Sequence, residues 1–187
     1  MVKKKTCVFI SGQGSNLKNL ISHSRDNNFP INISLVITNI KNAEGTSYPK
    51  KYNIPHFYID ARKKNYENKV LFYLKKYKIS LICLAGYMKI ISKNLVNQYQ
   101  KKIINIHPSL LPKFKGLNTF SRILKNKEIK TGCTVHYINE RLDSGNMIIK
   151  KSFFIEVDDD ENILKKKTQK LEYKAFPEAI IKIFRNN

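Results

Sequence analysis

Asn105, His107 and Asp143 are the residues whose types and spacing could serve one reaction centre. Asn105 and His107 lie two apart in the apolar run Ile103–His107, which continues as Pro108-Ser109-Leu110-Leu111-Pro112. Side chains at i and i+2 of a strand project to the same side. An amide and an imidazole therefore leave the strand together, while Ile104 and Ile106 turn the other way into packing. Pro108 ends the ladder because it has no N–H to donate. The pair stands at a strand's carboxyl end, where open α/β sheets bind ligands. Further on, Leu142-Asp143-Ser144-Gly145 offers a carboxylate in a turn. Amide, imidazole and carboxylate together supply hydrogen-bond donors and a proton acceptor. Singly, each has a plainer explanation: a strand-end Asn is a turn former, Asp before Ser-Gly is a hairpin residue, and a His beside proline is a satisfied structural group. The functional reading rests on the three in company.

The elements that must position them follow from apolar spacing. Residues 6–11 are apolar and β-branched, a buried strand. Residues 15–27, with Leu17, Leu20 and Ile21, predict a helix, 32–38 a second strand and 55–59 a short third. Val70, Leu71, Leu74 and Tyr77 give 64–77 helical spacing. Residues 79–85 form a nearly continuous apolar strand of the doubly covered, parallel type. A helix over about 93–100 precedes the strand carrying Asn105 and His107. After Pro112 the pattern changes. Residues 131–138 and 147–157 read as antiparallel strands joined through Asp143-Ser144-Gly145. Asp158, Asp159 and Asp160 then introduce a long helix over 161–184, acids at its N-terminal end as the dipole favours. The sum is α/β: a Rossmann-like, mostly parallel twisted sheet flanked by helices, with late antiparallel strands and a long C-terminal helix, in one domain over 1–187.

Composition bounds the rest. A chain of 187 residues suits one well-buried domain, and 42% hydrophobic content fits an ordinary globule. The longest uncharged apolar stretch, 79–88, is about half a membrane helix, so no membrane is expected. Lys3, Lys4 and Lys5 precede an apolar run that stops at Ser11-Gly12, a first strand rather than a signal peptide. Cys7, Cys83 and Cys133 sit in apolar runs without any C-x-x-C clip. Buried thiols in a reducing, cytoplasmic setting, with no metal, are the expectation. Lys+Arg of 35 against Asp+Glu of 14 gives +21, which would suit nucleic acid. The lysines are scattered, however, and Lys, Asn and Ile are over-used while Ala, Gly and Arg are scarce, the mark of an A+T-rich genome. No nucleic-acid partner is expected, although a positive field helps capture anionic substrates.

The first loop, Gly12-Gln13-Gly14-Ser15-Asn16, joins a strand to a helix. Glycine lets a ligand approach the backbone, and a helix N-terminus offers free N–H groups. Leu17 stands where a dinucleotide fingerprint needs its third glycine, and no Gly-Lys-Ser/Thr follows. A single phosphate on Gly14, Ser15 and Asn16 is one reading; a tight turn with Ser15 as helix cap is the other.

Together these pieces resemble the glycinamide ribonucleotide formyltransferases of purine synthesis, over nearly the whole chain. Val8 to Leu17 looks like that family's opening strand and phosphate loop, and Leu84-Ala85-Gly86-Tyr87-Met88-Lys89-Ile90-Ile91-Ser92 is similar to its central strand end. Asn105 to Pro112, Gly116-Leu117-Asn118-Thr119, Val135-His136-Tyr137 and Leu142-Asp143-Ser144-Gly145 complete the match. The resemblance implies catalytic roles for Asn105, His107 and Asp143, with the Asp143 carboxylate favouring the charged form of His107. It implies ribonucleotide contacts from Gly14, Ser15, Asn16, Gly86, Met88, Pro108 and Glu172. A folate would lie against Leu84, Ile90, Ile91, Leu95, Val96 and Ile103, its pyrimidine edge read by the backbone from Ile138 through Asn139, Glu140 and Leu142, with Lys89 near its tail. The implied co-substrate is 10-formyltetrahydrofolate, with glycinamide ribonucleotide as acceptor, in a monomer or homodimer without a metal. His136 matches too, and its mid-strand place suggests a supporting position.

Departures and rivals bear on this. Lys115 and Asn118 replace a usual proline and histidine in the loop after Pro112, and Lys89 a frequent arginine, which loses bidentate carboxylate recognition. A methionyl-tRNA formyltransferase shares the trio but continues into a tRNA-binding domain, whereas this chain ends at Asn187. A formyltetrahydrofolate hydrolase usually carries an extra N-terminal regulatory domain. A basic nucleic-acid module would leave the trio unexplained.

Overall fold

Lys4–Ile10 forms the first strand, β1, because Cys7 to Ile10 are apolar and fully buried. The computed structural model describes residues 2–185; Met1 and 186–187, part of the single-domain reading, lie outside them. The described chain divides into two compact units, with the boundary between Ile104 and Asn105.

In the first unit, α1 (Ser15–Ser24), β2 (Ile31–Thr38), α2 (Ser47–Lys51), β3 (His56–Tyr58), α3 (Tyr66–Lys76), β4 (Leu81–Leu84) and α4 (Lys93–Gln98) follow β1. Strand β1 pairs in parallel with both β2 and β4, and β2 with β3, so the order is β3-β2-β1-β4. The chain thus leaves β1 in one direction for β2 and β3, then returns to its other side for β4. That reversal makes a topological switch point at the carboxyl ends of β1 and β4, the ligand crevice of open α/β sheets. Every residue of β4 is buried, as its unbroken apolar run predicts.

β5 (Ile103–His107) begins in the first unit and ends in the second. The second unit continues with α5 (Thr119–Lys125), β6 (Lys130–Tyr137), β7 (Met147–Phe154) and α6 (Glu161–Arg185). β6 and β7 are antiparallel, with a register shift between Val135 and His136. The turn between them needs Gly145, where an added Cβ would lie 1.8 Å from the Tyr137 carbonyl oxygen. Leu164, Thr168, Ala175, Phe176, Ala179 and Ile180 fall on one side of the helical period and form the buried stripe of α6, which packs on β6 and β7. The parallel strands, antiparallel pair and long helix agree with the expected α/β class. Helices α2 and α5 were not expected. Each is too short for apolar periodicity to register, and α2 carries Pro49 in its first turn.

Candidate functional site

The second unit assembles the trio. Strand β5 carries Asn105 half-buried and His107 buried, and β6 carries His136 fully buried. Asp143 lies in the turn after β6 with φ of 46°, a left-handed conformation that Asp tolerates better than most residues. That conformation turns its carboxylate inward, where it is only 7% exposed. Oδ2 accepts the backbone N–H of Gly116 at 2.9 Å and lies 3.4 Å from His107 Nδ1. Oδ1 lies 3.6 Å from His136 Nε2. Asn105 Nδ2 donates to His136 Nε2 at 3.3 Å. The sequence expectation that Asn105, His107 and Asp143 converge is therefore met, with His136 at their centre.

Ring protons follow from the partners. His107 Nε2 faces the Phe114 carbonyl at 2.8 Å, and His136 Nδ1 faces the Tyr137 carbonyl at 2.9 Å. Carbonyls only accept, so each of these nitrogens carries hydrogen. Nε2 of a neutral His136 is then an acceptor for Asn105. Burial pushes the His107 pKa below its usual value, opposed by the Asp143 carboxylate and the Phe114 hydrogen bond and reinforced by His136 and Arg122. The expectation that Asp143 would hold His107 charged is corrected here: desolvation outweighs the carboxylate. Burial raises the Asp143 pKa, but the neighbouring His136 imidazole, the hydrogen bond from the Gly116 N–H and the charge of His107 carry it below the usual carboxylate range. Asp143 is thus a buried, ionised base.

Three contributors escaped the sequence reading: the Phe114 carbonyl, the Gly116 N–H and the weight of His136. The signal for His136 was present, since Thr134 and His136 are two apart on β6 and share a face. Thr134 Oγ1 donates to the Ser109 carbonyl at 2.7 Å and accepts the Leu111 N–H at 3.1 Å, fastening the segment after β5 to β6.

In the first unit, the loops after β1 and β4 are tied together. Ser11 N–H donates to the Gly86 carbonyl at 3.2 Å, and Ser11 Oγ accepts the Met88 N–H at 2.7 Å. Gly14, at φ of 70°, caps α1, and an added Cβ would meet Gly45 Cα at 2.8 Å. Gly14, Ser15, Asn16, Gly86 and Met88 therefore flank the switch point, Met88 exposed and Asn16 buried. Of the apolar residues expected on the folate, Leu84, Leu95, Val96 and Ile103 are core, whereas Ile90 is exposed and Ile91 half-buried. Lys89 is exposed. In the second unit Pro108 and Ile138 are half-buried, and Asn139, Glu140 and Leu142 are exposed. Glu172, half-buried on α6, lies close enough to Cys133 to help burial raise that thiol to about 12. Among the described residues, no group of three or more His, Cys, Asp or Glu is placed to hold a metal ion, and no helix is long and apolar enough to cross a membrane.

An α/β fold with amide, imidazole and carboxylate converging behind a strand end brings hydrogen-bond donors and a proton acceptor together. The chain belongs to the formyl transferase family, whose pattern it matches over residues 4–180. It is 36% identical to the phosphoribosylglycinamide formyltransferase of Haemophilus influenzae, covering 97% of this chain and 87% of that protein. It is 38% identical to the trifunctional purine biosynthetic protein adenosine-3 of Drosophila melanogaster over 95% of this chain, but spans only 14% of that protein. The crystal structure of phosphoribosylglycinamide formyltransferase from Bacillus halodurans superposes with a TM-score of 0.92 at 33% identity, covering 96% of this chain and 95% of that one. The same enzyme from Anaplasma phagocytophilum gives a TM-score of 0.92 at 33% identity, covering 96% and 85%.

Proposed function

We propose that residues 1–187 act as one catalytic domain that moves the formyl group of 10-formyltetrahydrofolate to the amine of glycinamide ribonucleotide. The observation that carries this reading is the ionised Asp143, gripped by Gly116 and faced by two imidazoles, one of which binds Asn105. The names and coverage of the relatives support the choice of acceptor. Gly14, Ser15 and Asn16 take the ribonucleotide phosphate, with Gly86, Met88, Pro108 and Glu172 as further contacts. Ile90, Ile91, Lys89 and the backbone of Ile138 to Leu142 take the folate.

The amine attacks the formyl carbon, forming a C–N bond and a tetrahedral oxyanion beside an ammonium. Asn105 Nδ2–H turns from His136 to the oxyanion. His107 takes a proton from solvent water as negative charge develops next to it, serves as a second donor, and returns that proton to water when the tetrahedral adduct collapses. Asp143 accepts a proton from the ammonium through water and returns it to the folate nitrogen as the old C–N bond breaks. Charge and protons balance without a protein nucleophile.

The test is folate release followed by absorbance, with glycinamide ribonucleotide present or omitted, in wild type and in Asn105→Ala, His107→Ala and Asp143→Ala. Ribonucleotide-dependent turnover that collapses in all three is the expected result. Release without the ribonucleotide would point to a hydrolase, and no release from folded protein would overturn the reading.

A further inference from the structure

The loop between Pro112 and α5 is held against the trio by groups outside it. His107 Nε2–H donates to the Phe114 carbonyl at 2.8 Å, and Gly116 N–H donates to Asp143 at 2.9 Å. Both members of the His107–Asp143 pair thus take one of their hydrogen bonds from this loop. The loop is costly to keep in shape. Phe114, Gly116 and Asn118 all have positive φ, at 57°, 78° and 53°, and two of the three are not glycine. A left-handed non-glycine residue persists only where its surroundings over-determine it.

Arg122, in the last turn of α5, supplies that constraint. Its Nη1 donates to the Lys115 carbonyl at 2.6 Å and to the Leu117 carbonyl at 3.3 Å. Its guanidinium lies 5.6 Å from the centre of the Phe114 ring. One planar group therefore ties both sides of Gly116 and packs on the residue whose carbonyl holds His107. Lys115 fastens the loop from the other side, with Nζ donating to Ser144 Oγ beside Asp143.

We infer that Arg122 is a positioning residue for the transfer step: it fixes the 114–117 loop so that the Phe114 carbonyl and Gly116 N–H hold His107 and Asp143 in register. This rests on the proposed formyl transfer for its kinetic consequence but not for its geometry. Arg122 touches no reacting group. Its substitution acts through alignment, and a misplacement of about 1 Å costs up to about 10² in rate. The charged and titratable groups facing His107 are Asp143, His136 on β6 and Arg122 itself.

The experiment pairs steady-state kinetics with ¹⁵N signals of the histidine rings, in Arg122→Ala, Arg122→Gln and Arg122→Lys, with Lys125→Ala on the same helix as control. Arg122→Ala is expected to lower kcat about tenfold with either KM changed less than about twofold. His107 should move from the pure Nε2–H form to a mixture of tautomers. Lysine keeps the charge but not the fork or the stacking, and glutamine keeps one donor without charge. Each should restore part of the tautomer signal. Unmoved His107 signals in Arg122→Ala, or equal losses in Lys125→Ala, would overturn the inference. A tautomer shift in a protein that shows no formyl transfer would uphold the positioning and remove the functional reading instead.

Discussion

The turn that carries Asp143 and the loop that follows β1 are both short and glycine-containing, yet they work by opposite means. Around Asp143 the side chains do the work: two imidazoles, an amide and a backbone N–H surround one carboxylate. In the loop after β1 the backbone does it. Gly14 abuts Gly45 so closely that a Cβ on either would overlap the other's Cα at 2.8 or 2.9 Å, and Gly45 N–H donates to the Gly12 carbonyl at 3.0 Å. A side-chain cluster stores its specificity in charge and proton positions, which a substitution can erase without moving the chain. A backbone loop stores it in shape, which a single methyl group changes.

The largest test of this contrast is Asn105→Ala. Asn105 is half-buried and its hydrogen bond to His136 is replaceable by water. The melting temperature should barely move. Activity should fall by about 10²–10³ in kcat, the usual loss when one oxyanion donor is removed. A large fall in melting temperature with proportionate activity would make the cluster structural.

The contrast also explains what could be read in the sequence. Asn105 and His107 were legible because two-residue alternation on β5 is local, and the strand's bounds are as the apolar run indicates. Asp143 was legible through its Ser-Gly turn. His136 was underweighted because its value comes from Asn105 and Asp143, 31 and 7 residues away, as the numbering shows. Gly45 gave no signal at all: its role is a contact with Gly14 across β2, which no local pattern reports. The Phe114 carbonyl was equally silent, since backbone acceptors carry no residue type. The net direction of the His107 pKa failed for a related reason. The neighbouring carboxylate is visible in a motif, whereas burial is a property of the whole fold.

Gly45→Ala is the next strongest test and should act on stability first. The added Cβ meets the Ile10 side chain at 2.8 Å, the Gly12 carbonyl oxygen at 2.9 Å and Gly14 Cα at 2.9 Å. Two of these are backbone and cannot step aside, so overpacking should cost about 1–3 kcal/mol in urea denaturation. The ribonucleotide KM should rise while the folate KM holds. Unchanged stability would mean the loop yields more than its contacts indicate.

A smaller effect distinguishes the side-chain cluster by pH. The His107 pKa is lowered in the folded protein, so the unfolded chain binds its proton first as pH falls. Stability should decline as pH drops below the unfolded value of about 6.5 and level off beneath the folded one. Asp143, also lowered, adds a loss beginning below its unfolded value of about 3.9 and ending below its folded one. Denaturation midpoints across this range should show both losses in wild type, and His107→Asn should remove the upper one. In Asp143→Asn the His107 midpoint, followed by NMR, should fall further, because the carboxylate is what opposes burial.

The smallest effect is expected from Gly12→Ala, and it is the one that isolates the backbone loop's chemistry from its packing. Gly12 is exposed, its φ lies outside the left-handed region, and an added Cβ would find nothing within 4 Å. Alanine there should leave stability unchanged or raise it by about 0.4–1 kcal/mol, since it restricts the unfolded chain more than glycine does. Space that is empty of protein is still available to a ligand approaching the crevice between the ends of β1 and β4. If the phosphate of the ribonucleotide comes to this loop, the new methyl group stands in its approach, and the ribonucleotide KM should rise several-fold with kcat and the folate KM held. Gly45→Ala changes both stability and binding, whereas Gly12→Ala should change binding alone. An unchanged ribonucleotide KM in Gly12→Ala would reduce the glycines of this loop to a folding requirement.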